Sequence, residues 1–229
     1  NGTGGEAEDK INSQDNTGIK IYDSTINSEK GGGSQAYTGK GGVGGKLNTG
    51  ILLELSTIKA NRGSLSFAGS GGSGVNIKKS LGVASKSMEL SGSKISLNGV
   101  GGESTLKKNA LDENNNDTFN QTADNIGVEI KDSSFTSTSG ELSITGNGGK
   151  ISVDGIVNPG RDDDIDAISV ASSLEGVTLS NVTTSTTGPT FISGQAGEPI
   201  AGDKNRGTTI INSTLQMATA LPASARNAF

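Results

Sequence analysis

The sequence contains no cysteine, no histidine and no tryptophan, and aromatic residues make up only 3% of its 229 residues. Without cysteine there can be no disulfide and no thiol chemistry, and without histidine the commonest general base and metal ligand is missing. Both absences disfavour catalysis. We therefore expect a protein that is not an enzyme and that needs no cofactor or metal.

Large apolar side chains are also scarce, because hydrophobic residues account for 30% of the chain, whereas glycine occurs 36 times. A single thick hydrophobic core would be poorly supplied at this length. A narrow interior that repeats along the molecule uses few apolar residues economically. The composition therefore favours a repeat architecture.

The formal net charge of -5 gives the chain no overall attraction for nucleic acid or for an anionic membrane surface. No apolar run approaches the length needed to cross a bilayer. Asn1 opens no signal-peptide pattern, so we read the chain as a segment of something longer. We expect neither nucleic-acid binding nor membrane insertion.

A repeated unit is best seen in residues 50–72. Its first half reads glycine, aliphatic, any residue, aliphatic, two residues, serine, any residue, apolar. It occurs at 18–26, 50–58, 127–135 and 207–215, with weaker copies beginning at Gly74 and Gly176. The second half ends in Gly-x-Gly-Gly and occurs at 63–72, 93–102 and 140–149. Such recurrence indicates stacked structural repeats.

Apolar residues alternate with polar ones in both halves, which is the period of a strand with one buried face. In residues 50–72 the pattern points inward at Ile51, Leu53, Ile58, Leu65 and Phe67. A unit of about 24 residues, from 50 to 74, suits three short strands. We therefore predict an all-β fold, a single-stranded right-handed parallel β-helix of about eight to ten turns.

The repeats divide the chain into three parts. Residues 1–17 are a lead-in or degenerate first turn, residues 18–217 carry the repeats, and residues 218–229 form a tail. An inserted loop at about 103–125 has few aliphatic residues, and it is either a tolerated insertion or a binding loop. For a binding loop, the candidate contact residues are Lys107, Lys108, Asp112, Glu113, Asn116 and Asp117.

Three other patterns fall short of a site. Residues 40–47 resemble a phosphate-binding loop but carry an extra glycine, and Leu47 stands where a hydroxyl residue would hold magnesium. The acidic run at 162–166 lacks the spacing of a calcium loop. The outward row expected from the repeats contains no acidic ladder: Lys20, Leu52, Asn76, Glu129, Thr178 and Thr209. A carbohydrate-active enzyme is therefore the least favoured reading.

The repeats resemble those of filamentous haemagglutinin-type exoproteins of bacterial two-partner secretion, which include high-molecular-weight adhesins. The runs Gly-Val-Glu-Ile-Lys-Asp-Ser-Ser-Phe at 127–135 and Gly-Glu-Leu-Ser-Ile-Thr-Gly-Asn-Gly-Gly at 140–149 carry the resemblance best. The family's amino-terminal Asn-Pro-Asn-Leu motif is missing, since Gly160 follows Asn158 and Pro159. The segment is thus similar to the central shaft.

The resemblance implies an extracellular or cell-surface fibre of a Gram-negative bacterium that serves adhesion and virulence. It implies a receptor or glycan on a host or neighbouring cell as the partner, and an outer-membrane secretion partner that acts through a region outside this segment. Glycosylation in some members makes Asn116 and Asn120 candidates. The same repeats also form stalks of contact-dependent toxin-delivery proteins, and this alternative stays open.

Overall fold

The computed structural model describes residues 1–4, 15–28, 33–75, 77–107, 123–154, 172–198 and 205–217. Within these ranges 72% of residues lie in strands and none in a helix. The strands are β1 (Gly2–Thr3), β2 (Asp15–Tyr22), β3 (Thr25–Asn27), β4 (Gln35–Lys40), β5 (Leu47–Glu54), β6 (Thr57–Ser70), β7 (Ser73–Val75), β8 (Lys79–Lys86), β9 (Glu89–Val100), β10 (Glu103–Lys107), β11 (Ala123–Lys131), β12 (Ser134–Ser137), β13 (Leu142–Asn147), β14 (Lys150–Asp154), β15 (Ser172–Ser173), β16 (Val177–Ser180), β17 (Thr183–Thr186), β18 (Thr190–Gln195), β19 (Thr208–Ile211) and β20 (Thr214–Met217). The all-β prediction is therefore confirmed.

The strands form three sheets in which the pairings are parallel. The seven-stranded sheet has the order β19-β16-β11-β8-β5-β2, with β15 also beside β11, and the three-stranded sheet has the order β14-β10-β7. The ten-stranded sheet contains the path β1-β4-β6-β9-β12-β17-β20, with β3, β13 and β18 beside it. Successive segments of the chain thus contribute to the three sheets in turn.

Strand pairing defines the true repeat length. Ile19 pairs with Ile51, and Ile51 pairs with Val83, so equivalent residues of the first three repeats lie 32 positions apart in the seven-stranded sheet. Val83 pairs with Val128, 45 positions later, across the proposed insertion. The predicted unit of about 24 residues is wrong, because it omits the connection from β7 back to the seven-stranded sheet. The weak copy placed at Gly74 is wrong for the same reason, and the equivalent glycine is Gly82.

The predicted inward residues form the core. Ile51, Leu53, Ile58 and Phe67 are 0% exposed and Leu65 is 1% exposed. Ile58 pairs with Leu90 and Phe67 with Leu97, so each inward side chain stacks on its equivalent in the next repeat. Burying such a side chain contributes about 1.5–3 kcal/mol. Strand alternation therefore located these core positions even though the repeat length was misjudged.

A glycine-to-glycine approach explains the first glycine of Gly-x-Gly-Gly. Gly99 of β9 packs against the backbone of Gly127 in β11, and a Cβ added at Gly99 would lie 1.9 Å from the Gly127 carbonyl oxygen. No real Cβ tolerates that distance. Equivalent contacts recur along the ten-stranded sheet, at Gly39, Gly69, Gly146 and Gly194. The two large sheets therefore touch along a line on which no side chain fits.

A second, more polar interior lies between the seven-stranded and three-stranded sheets. Asn125 of β11 is 0% exposed, and its Nδ2 donates to the Lys150 carbonyl oxygen at 2.8 Å. Ser104 of β10 is equally buried, and its Oγ donates to Asn125 Oδ1 at 3.2 Å. These bonds satisfy groups that would be costly to bury alone. The amino-terminal ends of β10 and β11 are thus part of the packed structure.

The predicted segment boundaries need adjustment. Within the proposed insertion at 103–125, residues 103–107 form β10 and residue 123 begins β11, so those bounds are too wide. For residues 1–17, predicted to be a lead-in or a degenerate first turn, the pairing of β1 and of the start of β2 favours the second alternative. Residues 108–122 and the predicted tail at 218–229 lie outside the described residues.

The turn after each long strand of the seven-stranded sheet holds one residue in the left-handed region. Its φ lies between 45 and 54° in six equivalent positions: Asp23, Leu55, Ser87, Asp132, Asn181 and Asn212. The next residue is often serine, as at Ser56, whose Oγ donates to the Glu54 carbonyl at 2.7 Å and accepts from the Ser24 amide at 3.0 Å. This bonding explains the serine of the repeat pattern.

Leu55 is the least suited of these residues to its backbone, because left-handed φ disfavours a bulky side chain. Its side chain is 54% exposed, so little packing compensates. We expect Leu55→Asn to raise the free energy of unfolding by about 1 kcal/mol, since asparagine tolerates this region. Urea unfolding measures the change. Val100→Asn, another exposed aliphatic position but in an ordinary strand, should give no gain, and an equal gain there would contradict the explanation.

Candidate binding surface

The structure describes only one of the predicted contact residues. Lys107 is the last residue of β10. Lys108, Asp112, Glu113, Asn116 and Asp117 lie outside the described residues, as do Asn116 and Asn120 in their role as candidate glycosylation sites and the acidic run at 162–166. These predictions therefore stay predictions, and the surface with the most regular chemistry is found elsewhere.

That surface is the outward side of β4, the second half of β6, the second half of β9, β13 and β18. Three rows of paired residues cross these strands, and we call the surface formed by the three rows the polar face. The rows are Ala36–Ser66–Ser96–Ser143–Phe191, Thr38–Ala68–Asn98–Thr145–Ser193 and Lys40–Ser70–Val100–Asn147–Gln195. Lys40 is the one charged residue in these rows. Serine, threonine, asparagine and glutamine supply most of the rest.

A trough of about 600 Å³ runs over one end of the polar face. Its polar lining residues include Thr38, Lys40, Ser70 and Asn98, and the apolar residues Ala68 and Val100 also line it. The trough follows the line where glycines bring the ten-stranded sheet against the seven-stranded sheet. A ligand in the trough could contact the hydroxyl and amide groups of both outward rows that line it.

A charged cluster occupies the outward side of the seven-stranded sheet. Lys79 Nζ lies 2.8 Å from Glu129 Oε2, and Lys131 Nζ lies 2.8 Å from Glu129 Oε1. The Glu129 side chain is only 13% exposed. Nearby, Thr178 and Thr209 donate hydroxyl hydrogen bonds to the buried carboxylate of Glu175. The charged groups of this cluster are largely satisfied by one another, so it is better suited to stability than to recognition.

The environments of two carboxyl groups here shift their pKa values in opposite directions. Burial acts to raise the pKa of Glu129, but the Lys79 and Lys131 ammonium groups outweigh it and hold the pKa below its ordinary value. Burial raises the pKa of Asp124, against the opposing effect of Lys79. Glu129 is thus stabilised as a carboxylate by folding, whereas the charged form of Asp124 is penalised.

Glu129→Gln is expected to lower the free energy of unfolding by about 2 kcal/mol at neutral pH, because two ammonium groups lose their carboxylate. A lowered pKa in the folded state means that this stabilisation is present above the unfolded value and is lost as the pH falls through the folded value. The difference between wild type and variant should therefore shrink on acidification. Urea titrations from pH 7 to pH 3 measure it.

Asp124→Asn is the control, because the pKa of Asp124 is raised and removal of its charge should therefore not lower the free energy of unfolding. Charging Asp124 costs folding free energy at neutral pH, and protonation relieves that cost as the pH falls through the raised value. The variant should thus be no less stable than wild type at pH 7. A Glu129→Gln difference that stayed constant across the pH range would contradict the ion-pair account.

The outward row predicted from the sequence is largely correct in register. Leu52 pairs with Ala84, and Ala84 pairs with Glu129, so Ala84 takes the place given to Asn76. Lys20, Thr178 and Thr209 occupy the row as predicted. Leu52 and Ala84 pack with Leu81 and Ile126 in a small apolar cluster outside the main core.

The segment resembling a phosphate-binding loop connects two strands. Residues 40–47 lead from β4 into β5, and Gly44 and Gly45 have φ of 81 and 76°. A phosphate-binding loop needs a helix amino terminus after its glycines, and β5 stands there. Among the described residues no group of three or more acidic, histidine or cysteine side chains is placed to hold a metal ion. Nor does any helix in those ranges have the length and apolarity to span a membrane.

No family model, curated protein sequence or solved structure matches this chain. Sequence reasoning missed the polar face because its rows exist only once the strands are paired. The signal that could have found it is the absence of charge at the last three alternate positions of each Gly-x-Gly-Gly half-repeat, since Lys94 and Glu141 occupy the alternate position before them.

Proposed function

We propose that the strands wind as a single-stranded, right-handed parallel β-helix. Each strand pairs in parallel with its equivalent one repeat later, as Ile26 with Ile58 and Ile58 with Leu90. A parallel pairing needs a crossover connection, and here the crossover passes through the other two sheets. Crossover connections between parallel strands of one sheet are right-handed in about 98% of cases, which supports the proposed handedness.

The proposed function is a non-enzymatic structural and binding segment of a secreted bacterial surface adhesin. The observation that carries it is the unbroken register of the seven-stranded sheet. Six stacked residues share one inward row: Ile19, Ile51, Val83, Val128, Val177 and Thr208. A continuous ladder of this kind resists bending and holds outward faces at fixed positions, as a fibre that presents a binding surface requires.

The proposal places the segment outside the cell, exported through an outer-membrane partner that acts on another part of the protein. The absence of cysteine is compatible with export as an unfolded chain. The resemblance of the repeats to two-partner exoproteins supports this assignment. A receptor or glycan on a host or neighbouring cell is then the partner.

An adhesion assay tests the proposal. Beads coated with the folded segment should bind to epithelial cells or to neighbouring bacteria, and soluble segment should compete for that binding. Beads coated with albumin are the control. If segment-coated beads bound both cell types no better than albumin-coated beads, the adhesive role would be rejected and a passive stalk, as in toxin-delivery proteins, would take its place.

A further inference from the structure

We propose that the trough on the polar face binds a neutral, linear polysaccharide laid along the stacking direction of the strands. This inference rests on the proposed adhesive function and specifies the class of ligand that the segment binds. Four adjacent strands, β1, β4, β6 and β9, contribute lining residues to the trough. Three intervals of about 4.8 Å separate them, so the trough extends for roughly 14 Å.

The spacing between neighbouring strands is similar to the length of one sugar residue. The lining residues Thr38, Ala68 and Asn98 are equivalent and lie on successive strands. Their spacing of about 4.8 Å is close to the length of one pyranose residue in an extended glycan. A linear glycan laid across the strands can therefore place about one sugar residue over each strand, and about three sugar residues would occupy the trough.

The polar groups that line the trough match those of a neutral sugar. Ser70 and Thr38 offer hydroxyl groups, and Asn98 offers an amide that both donates and accepts. Sugar hydroxyl groups also donate and accept, so they match these side chains. Lys40 is the one cation in the rows of the polar face, whereas an anionic polymer or a nucleic acid would require a cluster of them.

The backbone of this surface argues against an extended peptide as the ligand. Peptides that add to a sheet pair with the free edge of a strand. Here β6 is paired on one side with β4 and on the other with β9. The main-chain groups of β6 are occupied, so recognition over this strand comes from side chains.

Binding of neutral oligosaccharides tests the proposal. Calorimetry and NMR titration of the whole segment would use β-1,4-linked glucose, β-1,3-linked glucose and α-1,4-linked glucose oligomers of two to six residues, with polygalacturonate as the anionic comparison. We expect at least one neutral series to bind, with affinity that rises up to three or four residues and then levels. Polygalacturonate should bind at least about tenfold more weakly.

Two matched variants locate the site. Asn98→Glu places a charge in the trough, and Thr136→Glu places the same charge at the exposed position of β12, in the same sheet but outside the trough. Both positions are exposed, so both variants should fold. Asn98→Glu should weaken binding at least about tenfold and Thr136→Glu by less than twofold. No binding of any neutral oligomer at about 10 mM, or equal binding by both variants, would overturn the inference.

Bead adhesion separates this inference from the adhesive function. If beads carrying Asn98→Glu adhere as well as wild type, the glycan trough is not the adhesive surface and the inference is overturned while adhesion stands. If wild-type segment binds the oligomers but its beads do not adhere, the adhesive function fails while the glycan site stands. Loss of both oligosaccharide binding and adhesion in Asn98→Glu alone supports both.

Discussion

Gly99→Ala is expected to destabilise the protein by about 3 kcal/mol or more, because the new methyl group would lie 1.9 Å from the Gly127 carbonyl oxygen. Both groups belong to backbones that are paired within their sheets, so neither can move without disturbing several hydrogen bonds. For a chain of this length the melting temperature should fall by roughly 6–12 °C. Thermal unfolding followed by circular dichroism measures it.

Gly33→Ala is the matched control, because a Cβ added at Gly33 meets no atom within 4 Å. The variant should unfold within about 0.5 kcal/mol of wild type. Equal stability of the Gly99 and Gly33 variants would show that the two large sheets do not touch where the structure places their contact. The Gly-x-Gly-Gly pattern would then need another explanation.

Deleting residues 103–125 should abolish cooperative unfolding. The deletion removes β10 and the first three residues of β11, including the buried Ser104 and Asn125 and the hydrogen bond between them. It also leaves β7 and β14 without the strand that joins them. Circular dichroism and urea titration of the deletion variant would show a non-cooperative transition.

A shorter replacement provides the control. Thr105 pairs with Val75, and Asp124 pairs with Lys79, so the link between 75 and 79 shows the length that joins such strands. Replacing residues 106–123 with Asn-Ile-Lys, the sequence of 76–78, should keep the fold and a melting temperature within a few degrees of wild type. If this replacement unfolded the protein as completely as the full deletion, the register across β10 and β11 would be wrong.

The sequence predicted the core better than the repeat. Inward positions such as Ile51 and Phe67 follow from alternation alone, because a strand with one buried face has a period of two. The repeat length does not follow, since Ser85 and Met88 stand where the pattern expects an aliphatic residue and a serine. The copy of the repeat that begins at Gly82 therefore does not match the sequence pattern. The methionine sulfur instead accepts the Ser56 amide hydrogen at 3.3 Å.

The bounds of the insertion and the location of the candidate site could not be read from the sequence for related reasons. Residues 103–107 contain one aliphatic residue, and β10 is held by backbone pairing with β7 and β14, which leaves no apolar pattern. The polar face depends on which residues lie side by side on neighbouring strands. Asn98 and Thr145, 47 positions apart, become neighbours only through the register of β9 and β13.

The central claim is that equivalent residues of successive repeats stack in register. Since the chain contains no cysteine, two engineered cysteines can test this stacking without competition from other thiols. Glu89 and Ser134 are paired across β9 and β12, on either side of the proposed insertion. Their expected Cα separation of about 4.8 Å lies within the range that a disulfide bridges.

The decisive measurement is disulfide formation in Glu89→Cys/Ser134→Cys compared with Glu89→Cys/Thr138→Cys. The second pair shifts one partner by four residues, or roughly 13 Å along a strand. We expect the first pair to oxidise to an intramolecular disulfide in the folded protein and the second pair to remain reduced. Failure of the first pair to form, or equal formation by both, would contradict the stacked register on which the fibre, the trough and the proposed function depend.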